Sequence, residues 1–454
     1  MITDSLKPYG AYKDSGVPWL GEVPEHWRVA DLGRYIRVQS GDMITIEDER
    51  DAGIPIYGGN GIRGYTFKAN TNGPVILLGR VGAKCGCVHL VNGRLWASEH
   101  ALRVLPRVAV NLEFFACLLD HADLNRYAIR TAQPLINSTI VRSHRVALPS
   151  DSEQVAIVRF LRHVDRRIRR YIRAKKKLIA LLNEQKQAII HHVVTRGLDP
   201  NVRLKPSGVE WLADVPENWE VRPAKYFYRE VDERSRTGEE ELLSVSHITG
   251  VTPRSQKSIT MFMASSYIGH KLCRPGELVI NTMWAWMGAL GVAKEMGIVS
   301  PSYGVYRPVR NSQLLGDYVD LLLRTRPYVS EYTCRSTGIR SSRLRLYPEQ
   351  FLRIKLVCPS AEEQRAILDC VAAETTATER AMGSTQREID LLREYRTRLI
   401  ADVVTGKVDV REAAVRLPEE TEEPEPLDEA DALAEGDGDT EDADLEAATE
   451  EAEA

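Results

Sequence analysis

An α+β fold, built from two related β-rich modules and two long helices, is what this 454-residue sequence predicts. Three observations carry that expectation. SGVPWLGEVPEHW at 15–27 returns as SGVEWLADVPENW at 207–219, with nine of thirteen positions identical. LPSDSEQVAIV at 148–158 returns as CPSAEEQRAIL at 358–368, and each copy opens a long helical pattern. Between these landmarks lie stretches of unequal length, 121 residues from Trp27 to Pro149 and 139 from Trp219 to Pro359. A fixed frame around two different inserts predicts one operation directed at two different targets.

The first module, 1–147, begins with a loose leader over 1–14 and then the Trp/Pro/Glu element. Its apolar runs are cut by glycine: IPIYGGNGIRGY at 54–65, PVILLGRVGAKCGCVHL at 74–90 and RLWASEHALRVL at 94–105. Short runs with turn residues at close intervals predict strands. Phe114, Phe115, Leu118, Leu119 and Leu124 predict one helix over Asn111–Arg126. The second module, 198–357, has the same texture in ELLSVSHITGV (241–251), ELVINTMWAWMGALGVA (277–293) and SPSYGVYRP (300–308), with a helix near Leu314–Thr325.

The segment 148–197 is different in kind. Leu161, Ile168, Lys175, Leu182 and Ile189, with Val164, Tyr171, Leu178, Gln185 and His192, form two columns of a heptad-like seam. Ser150 and Glu153 make a Ser-x-x-Glu start, and Gly197 is a natural stop. About 42 helical residues give a rod of about 60 Å. Its counterpart, 358–417, keeps Ile389, Leu392, Leu399 and Val403 at similar spacing but is weaker over TTATERAMGST at 375–385. Antiparallel pairing of the two helices is the reading adopted, with pairing to another subunit as the alternative.

Net charge averages two unlike regions. The segment 418–454 holds 18 acidic residues and no Lys or Arg, which predicts a disordered acidic C-terminal tail. The remainder carries 60 basic against 46 acidic residues. A body this basic points to a polyanion, nucleic acid first. Seven scattered cysteines complete no metal spacing, so no metal site is expected, and they read as reduced cytosolic thiols. The longest uncharged stretch, Leu278–Ala293, is 16 residues interrupted by Asn281, Gly288 and Gly291, too short to span a bilayer. A soluble, cytoplasmic protein with no membrane partner is expected.

The Trp-Leu-Gly-Glu-x-Pro-Glu-His-Trp element (19–27), the Pro-x-x-x-Glu-Gln-x-x-Ile helix starts (149–157 and 359–367) and their duplication resemble the specificity subunit of type I restriction–modification systems. The resemblance covers about 15–410. It implies two β-rich target recognition domains separated by two long antiparallel coiled-coil helices with a pseudo-two-fold internal repeat. Each domain would read one half of a bipartite, asymmetric site on double-stranded DNA. It also implies that the helices dock two methyltransferase subunits. S-adenosylmethionine, ATP and Mg would then be bound by partner subunits, among them motor/nuclease subunits, with no cofactor in this chain. A 60 Å rod at 3.4 Å per base pair limits the separation of half-sites to about 18 base pairs.

Candidate DNA-binding residues follow from chemistry and place. GRVGAK at 79–84 fails the phosphate-loop pattern; a tight turn presenting Arg80 and Lys84 to DNA stands against a purely structural hairpin. NTMWAWMG at 281–288 alternates like a strand burying an aromatic face, with Asn281 and Thr282 preceding the stripe. SPSY at 300–303 offers Ser302 and Tyr303 hydroxyls, against turn packing. Two basic runs occupy the same place before each long helix, with Arg130, Gln133, Asn137 and Thr139 in the first and Arg335, Arg340, Ser341 and Arg343 in the second. Arg, Asn and Gln make bidentate contacts with guanine and adenine, whereas the bland reading is a solvated loop. Ten Lys or Arg from Arg159 to Lys177 read as a solvated helix face, with DNA or an acidic partner as alternatives.

No methyltransferase Asn/Asp-Pro-Pro-aromatic motif, Walker A sequence or nuclease cluster is present in the sequence. A non-catalytic subunit is therefore expected. The rivals are a coiled-coil protein-binding scaffold without DNA readout and an enzyme with an unrecognised nuclease site.

Overall fold

The computed structural model describes residues 6–130, 133–256, 266–338 and 344–418. The chain divides into two compact units. The first comprises residues up to 176 together with the chain from 386 to 418, and the second spans 177–385. The acidic segment 419–454 lies outside the described residues.

In the first unit a four-stranded antiparallel sheet runs in the order Val88–Val91, Val75–Gly79, Ala101–Pro106, Ile36–Ser40. Val75–Leu78 is a continuous apolar run because the strand is central and covered on both faces, at most 1% exposed. A second sheet holds Glu49–Arg50, Gly61–Thr66, Ile54–Gly58, Arg94–Ala97 and Thr71–Asn72. Helix Leu112–His121 covers the core with Phe114, Phe115, Leu118 and Leu119, all fully buried. The Asn111 side chain caps it, accepting from the Glu113 and Phe114 amides. The helix ends earlier than its periodicity predicts. Asp123 takes a left-handed conformation (φ 42°), and Leu124–Tyr127 continues as a 3₁₀ turn.

The second unit repeats the sheet order with Leu290–Val292, Leu278–Ile280, Gly304–Pro308 and Tyr228–Val231. Its predicted helix is Gly316–Leu323, and a second helix that the sequence reading did not name, Arg326–Arg335, follows Thr325, whose hydroxyl donates to the Leu322 carbonyl. In each unit a strand following the Trp element pairs with the strand before a long helix: Arg28–Asp31 with Arg145–Leu148, and Glu220–Pro223 with Lys355–Cys358.

The long helices are Asp151–Arg196 and Ala361–Val404. Within the first unit, Asp165 pairs with Arg396 and Lys175 with Glu388. Within the second, Lys186 pairs with Glu379 at 2.6 Å. Within the first unit partner numbers fall as the first helix advances, so the pairing there is antiparallel. One expected heptad column, Leu161, Ile168, Lys175, Leu182 and Ile189, is buried or half-buried, and the other departs from the contact face after Val164. Tyr171, Leu178, Gln185 and His192 are exposed, while Ile172, Lys175, Ile179, Leu182, Lys186 and Ile190 line the covered side. A straight helix turns every 3.6 residues, so a strict seven-residue column drifts off the contact by about 20° per heptad. In the second helix, buried Thr375 and Thr385 fold their hydroxyls onto the Val371 and Ala381 carbonyls of their own backbone.

The frame motifs meet in space. Glu153, 4% exposed, accepts from the Tyr9 hydroxyl at 2.7 Å and the Trp27 indole Nε1 at 3.2 Å, and lies 2.9 Å from His26 Nε2. The second unit fastens its frame through the next residue. Gln364, fully buried, accepts from the Leu315 amide at 2.8 Å and donates to the Gln313 and Pro359 carbonyls at 2.9 Å. Each frame is completed by the far end of the other helix. Gly406 sits on Pro24 and Trp27 in the first unit, and Gly197 on Trp219 and Pro216 in the second.

Candidate nucleic-acid interface

Three segments converge at one end of the first unit's four-stranded sheet. The Arg80 amide donates to the His100 carbonyl at 2.8 Å, and the Arg80 carbonyl accepts from the Ile136 amide at 2.9 Å. Gly82 donates to Pro134 at 3.1 Å, and Val81 bridges Leu135. The turn therefore links 79–86, 98–101 and 129–137. Gly82 and Gly86 take φ of 96° and 94°, which favour glycine. Asn125 Nδ2 holds the turn by donating to the Ala83 and Cys85 carbonyls, both at 2.9 Å.

Around this scaffold Lys84, Arg130, Gln133 and Thr139 are exposed, and Arg80 is half-buried. Arg80 Nη1 donates to Ser40 Oγ at 3.1 Å and to the Glu99 carbonyl at 3.3 Å, so its guanidinium ties the turn to the sheet. Asn137 caps the helix Ser138–Ser143, its Oδ1 accepting from the Ile140 amide at 2.9 Å. That bond occupies the acceptor the sequence had offered to a base. Burial pushes the Cys85 and Cys87 thiols up, which keeps both protonated behind the turn.

The second unit builds the corresponding cluster from 281–289, 300–303 and 335–346. The Thr282 carbonyl accepts from the Leu346 amide at 2.9 Å, and the Thr282 hydroxyl donates to the Ser302 carbonyl at 2.8 Å. Asn281 Nδ2 donates to the Tyr303 hydroxyl at 2.9 Å, while its Oδ1 accepts from the Met283 and Trp284 amides. Asn281 and Thr282 are 3% and 8% exposed. They are corrected from base readers to the buried pins of the turn. NTMWAWMG is a turn with a 3₁₀ segment, Ala285–Met287, and not a strand. Gly288 at φ 87° closes it, and the Trp284 and Trp286 rings lie 5.6 Å apart at 32° instead of sharing one buried face.

Thr337 and Arg345 exchange two backbone bonds of 3.0 Å and so close the base of the second basic run. Arg340, Ser341 and Arg343 lie outside the described residues. Arg335 occupies the last turn of its helix and pairs with the buried carboxylate of Glu331, so it does not sit in a solvated loop. Arg345 is exposed beside Met283, and the sequence reading passed over it despite its place in the same basic run. No group of three or more His, Cys, Asp or Glu able to hold a metal occurs among the described residues. None of their helices is long and apolar enough to cross a membrane.

The two units share one sheet order, and each carries a three-segment loop cluster with basic side chains beside it. Residues 24–180 match the family model of the type I restriction modification DNA specificity domain. The EcoprrI type I restriction enzyme specificity subunit of Escherichia coli is 32% identical over 164 residues, 35% of this chain and 41% of that protein. The chain thus matches about two fifths of that relative's length. In fold, the chain is similar to a solved structure described as the basis of complex assembly and conformational transition of the type I R-M system. That likeness has a TM-score of 0.56 at 14% identity and covers 84% of this chain and 98% of the other. Residues 24–180 thus resemble a type I restriction modification DNA specificity domain.

Proposed function

We propose that this chain selects the DNA site of a type I restriction–modification complex, each unit reading one half of a bipartite, asymmetric sequence. The observation that carries this reading is the loop cluster itself. Hydrogen bonds join three segments in both units, through the backbone in the first and through one backbone bond and the Asn281 and Thr282 side chains in the second. The side chains they present differ. Arg80, Lys84, Arg130 and Gln133 stand in the first, and Ser302, Tyr303, Trp284, Trp286 and Arg345 in the second. A common scaffold bearing different hydrogen-bonding side chains is what reading two unlike half-sites requires.

The long helices act in this reading as an antiparallel coiled-coil spacer and as the docking surface for two methyltransferase subunits. Tyr171, Leu178 and Leu181 on the first helix are 53%, 44% and 53% exposed, and Leu391 on the second is 63% exposed. Apolar side chains left uncovered along a long helix suit a partner helix laid against them. Those partners supply S-adenosylmethionine chemistry, and motor/nuclease subunits supply ATP and Mg.

The test is a comparison of Arg130→Ala with Arg340→Ala in the complex reconstituted with the methyltransferase, read by sequencing of methylated sites. Each variant is expected to relax one half-site and leave the other intact. Equal loss at both halves overturns the modular reading. Salt-independent or absent DNA binding favours the protein-binding scaffold instead.

A further inference from the structure

A hairpin of the first unit's second sheet reaches the turn that carries Arg80. Its strands Ile54–Gly58 and Gly61–Thr66 pair antiparallel with Gly58 opposite Gly61, so the connecting turn is Gly59-Asn60. Gly61 at φ 102° completes that turn, in a region glycine enters without strain. The Gly59 carbonyl accepts from Cys87 Sγ at 3.0 Å. A Cβ built at Gly59 would meet the Val81 carbonyl oxygen at 2.8 Å, and one built at Gly79 would clash with the Gly59 carbonyl. Backbone rests on backbone there, which glycine at both positions permits. The hairpin tip is thus a fourth segment beside 79–86, 98–101 and 129–137.

Asn60 stands at that tip. It is exposed, and its side-chain amide holds no hydrogen bond among the described residues. The two other asparagines of this cluster are engaged within the protein. Asn125 donates to the Ala83 and Cys85 carbonyls, and Asn137 accepts from the Ile140 amide. An amide with donor and acceptor both open matches the N6 and N7 edge of adenine in the major groove.

The second unit sets a hairpin on the matching strand and gives it a different tip. Leu243–Ser246 pairs with Gly250–Pro253. A Cβ built at Gly291, in the strand Leu290–Val292, would meet the Val251 nitrogen at 3.1 Å and Gly250 Cα at 3.2 Å. That strand is the counterpart of Val88–Val91 in the shared sheet order. Arg324 Nη2 fastens the tip by donating to the His247 and Ile248 carbonyls at 2.7 and 2.6 Å. Ile248 and Thr249 are exposed there in place of an amide. The placement is shared and the exposed chemistry is not, which suits unlike half-sites.

We propose that Asn60 is a specificity-determining residue for the first half-site, its side-chain amide taking the N6 and N7 edge of one adenine. The assignment rests on the reading of this chain as the part that selects the DNA site, and it adds the hairpin tip to the surface that reads. Close backbone approach at Gly59 and Gly79 is what brings Asn60 to the turn bearing Arg80.

The test uses the full chain, reconstituted with the methyltransferase, and duplexes that differ at single positions. Asn60→Ala is expected to leave the melting temperature unchanged, because the amide holds nothing within the protein. It is expected to weaken binding of the cognate duplex roughly tenfold or more and to relax the preference for adenine at one position. Replacing that adenine with 7-deazaadenine, which lacks the N7 acceptor, is expected to weaken binding by the unaltered chain and to weaken Asn60→Ala no further. An equal loss on every duplex, cognate or random, marks a phosphate contact and overturns the assignment. A loss at the half-site that Arg340→Ala relaxes overturns it as well. Selection unchanged by Asn60→Ala overturns it and leaves the two-unit reading standing, whereas a complex that selects no sequence overturns both.

Discussion

The Glu153 carboxylate accepts a hydrogen bond from the Trp27 indole across 126 residues of sequence, and Glu363, its counterpart by position, accepts none from Trp219. Glu363 is half-buried and accepts from the Asn218 side-chain amide at 3.3 Å, while the buried Trp219 Nε1 has no partner among the described residues. The two units share a Glu-Gln pair and use different halves of it.

That division sets the outcome of four alanine variants. Glu153→Ala strands the Tyr9 and Trp27 donors and is expected to cost the first unit about 2–4 kcal/mol. Glu363→Ala is expected to cost under about 1 kcal/mol. For glutamine the order inverts. Gln364→Ala is expected to cost about 2 kcal/mol, and Gln154→Ala less, because the buried Gln154 Oε1 already lacks a partner among the described residues. Denaturant unfolding followed by hydrogen exchange in each unit reads the pattern; equal costs for Glu153 and Glu363 would contradict it.

Gly406 and Gly197 both hold φ of 77°, so alanine strains either one. At Gly406 an added Cβ meets the Pro24 ring at 2.4 and 2.7 Å, whereas at Gly197 its nearest neighbour is the end of the Glu363 side chain at 3.2 Å. Gly197→Ala is expected to cost about 1–2 kcal/mol and Gly406→Ala about 3 kcal/mol or more. Thermal melting of the two variants distinguishes them, and a larger loss for Gly197→Ala refutes the steric account.

Alkali is expected to unfold the second unit before the first. Burial raises the phenols of Tyr228, Tyr306, Tyr318, Tyr328 and Tyr332 above their usual range, against Tyr9 and Tyr57 in the first unit. A raised folded-state pKa gives stability that is complete below pH ~10 and lost as pH rises further, at about 1.4 kcal/mol per pH unit for each phenol kept protonated. Tyrosinate absorbance followed with unit-resolved hydrogen exchange from pH 9 to 12 tests the order. Simultaneous loss in both units would count against it.

Asn281 and Arg345 separate fold from recognition. Asn281→Ala removes the acceptor of two turn amides and is expected to lower stability by about 1–3 kcal/mol. Arg345→Ala is expected to leave the melting temperature unchanged and to weaken DNA binding roughly 10- to 100-fold in one half-site. Binding measured across variant duplexes, beside thermal melting, tells the two effects apart.

The helices and the frame were legible because their signals are local. Ser150 Oγ accepts from the Glu153 amide as the Ser-x-x-Glu pattern requires, and Gly197 turns the chain out at φ 77°. Half of the seam was legible: the column from Leu161 to Ile189 stays on the covered side, whereas Tyr171 and Leu178 fall outside because a 3.5-residue template drifts from a 3.6-residue helix. NTMWAWMG read as a strand because a tight turn of alternating sizes mimics period two. Only the bonds from Asn281 to Tyr303 and Thr282 to Ser302, about 20 residues apart, distinguish them. Whether Arg80 points outward or braces Ser40 depends on a partner 40 residues away, which no local pattern encodes.

The closing of the first unit by the segment 386–418 has a consequence for the order of birth. A ribosome that has released residue 385 has already delivered every part of the second unit, including the Gly197 and Gln364 fastenings. The first unit, although its sheets emerge earliest, still lacks Val403, Val404 and the Gly406 seat for Trp27. Vectorial synthesis therefore completes the later module first and leaves the earlier one open, its Trp27 pocket unsealed, until the last helix is out.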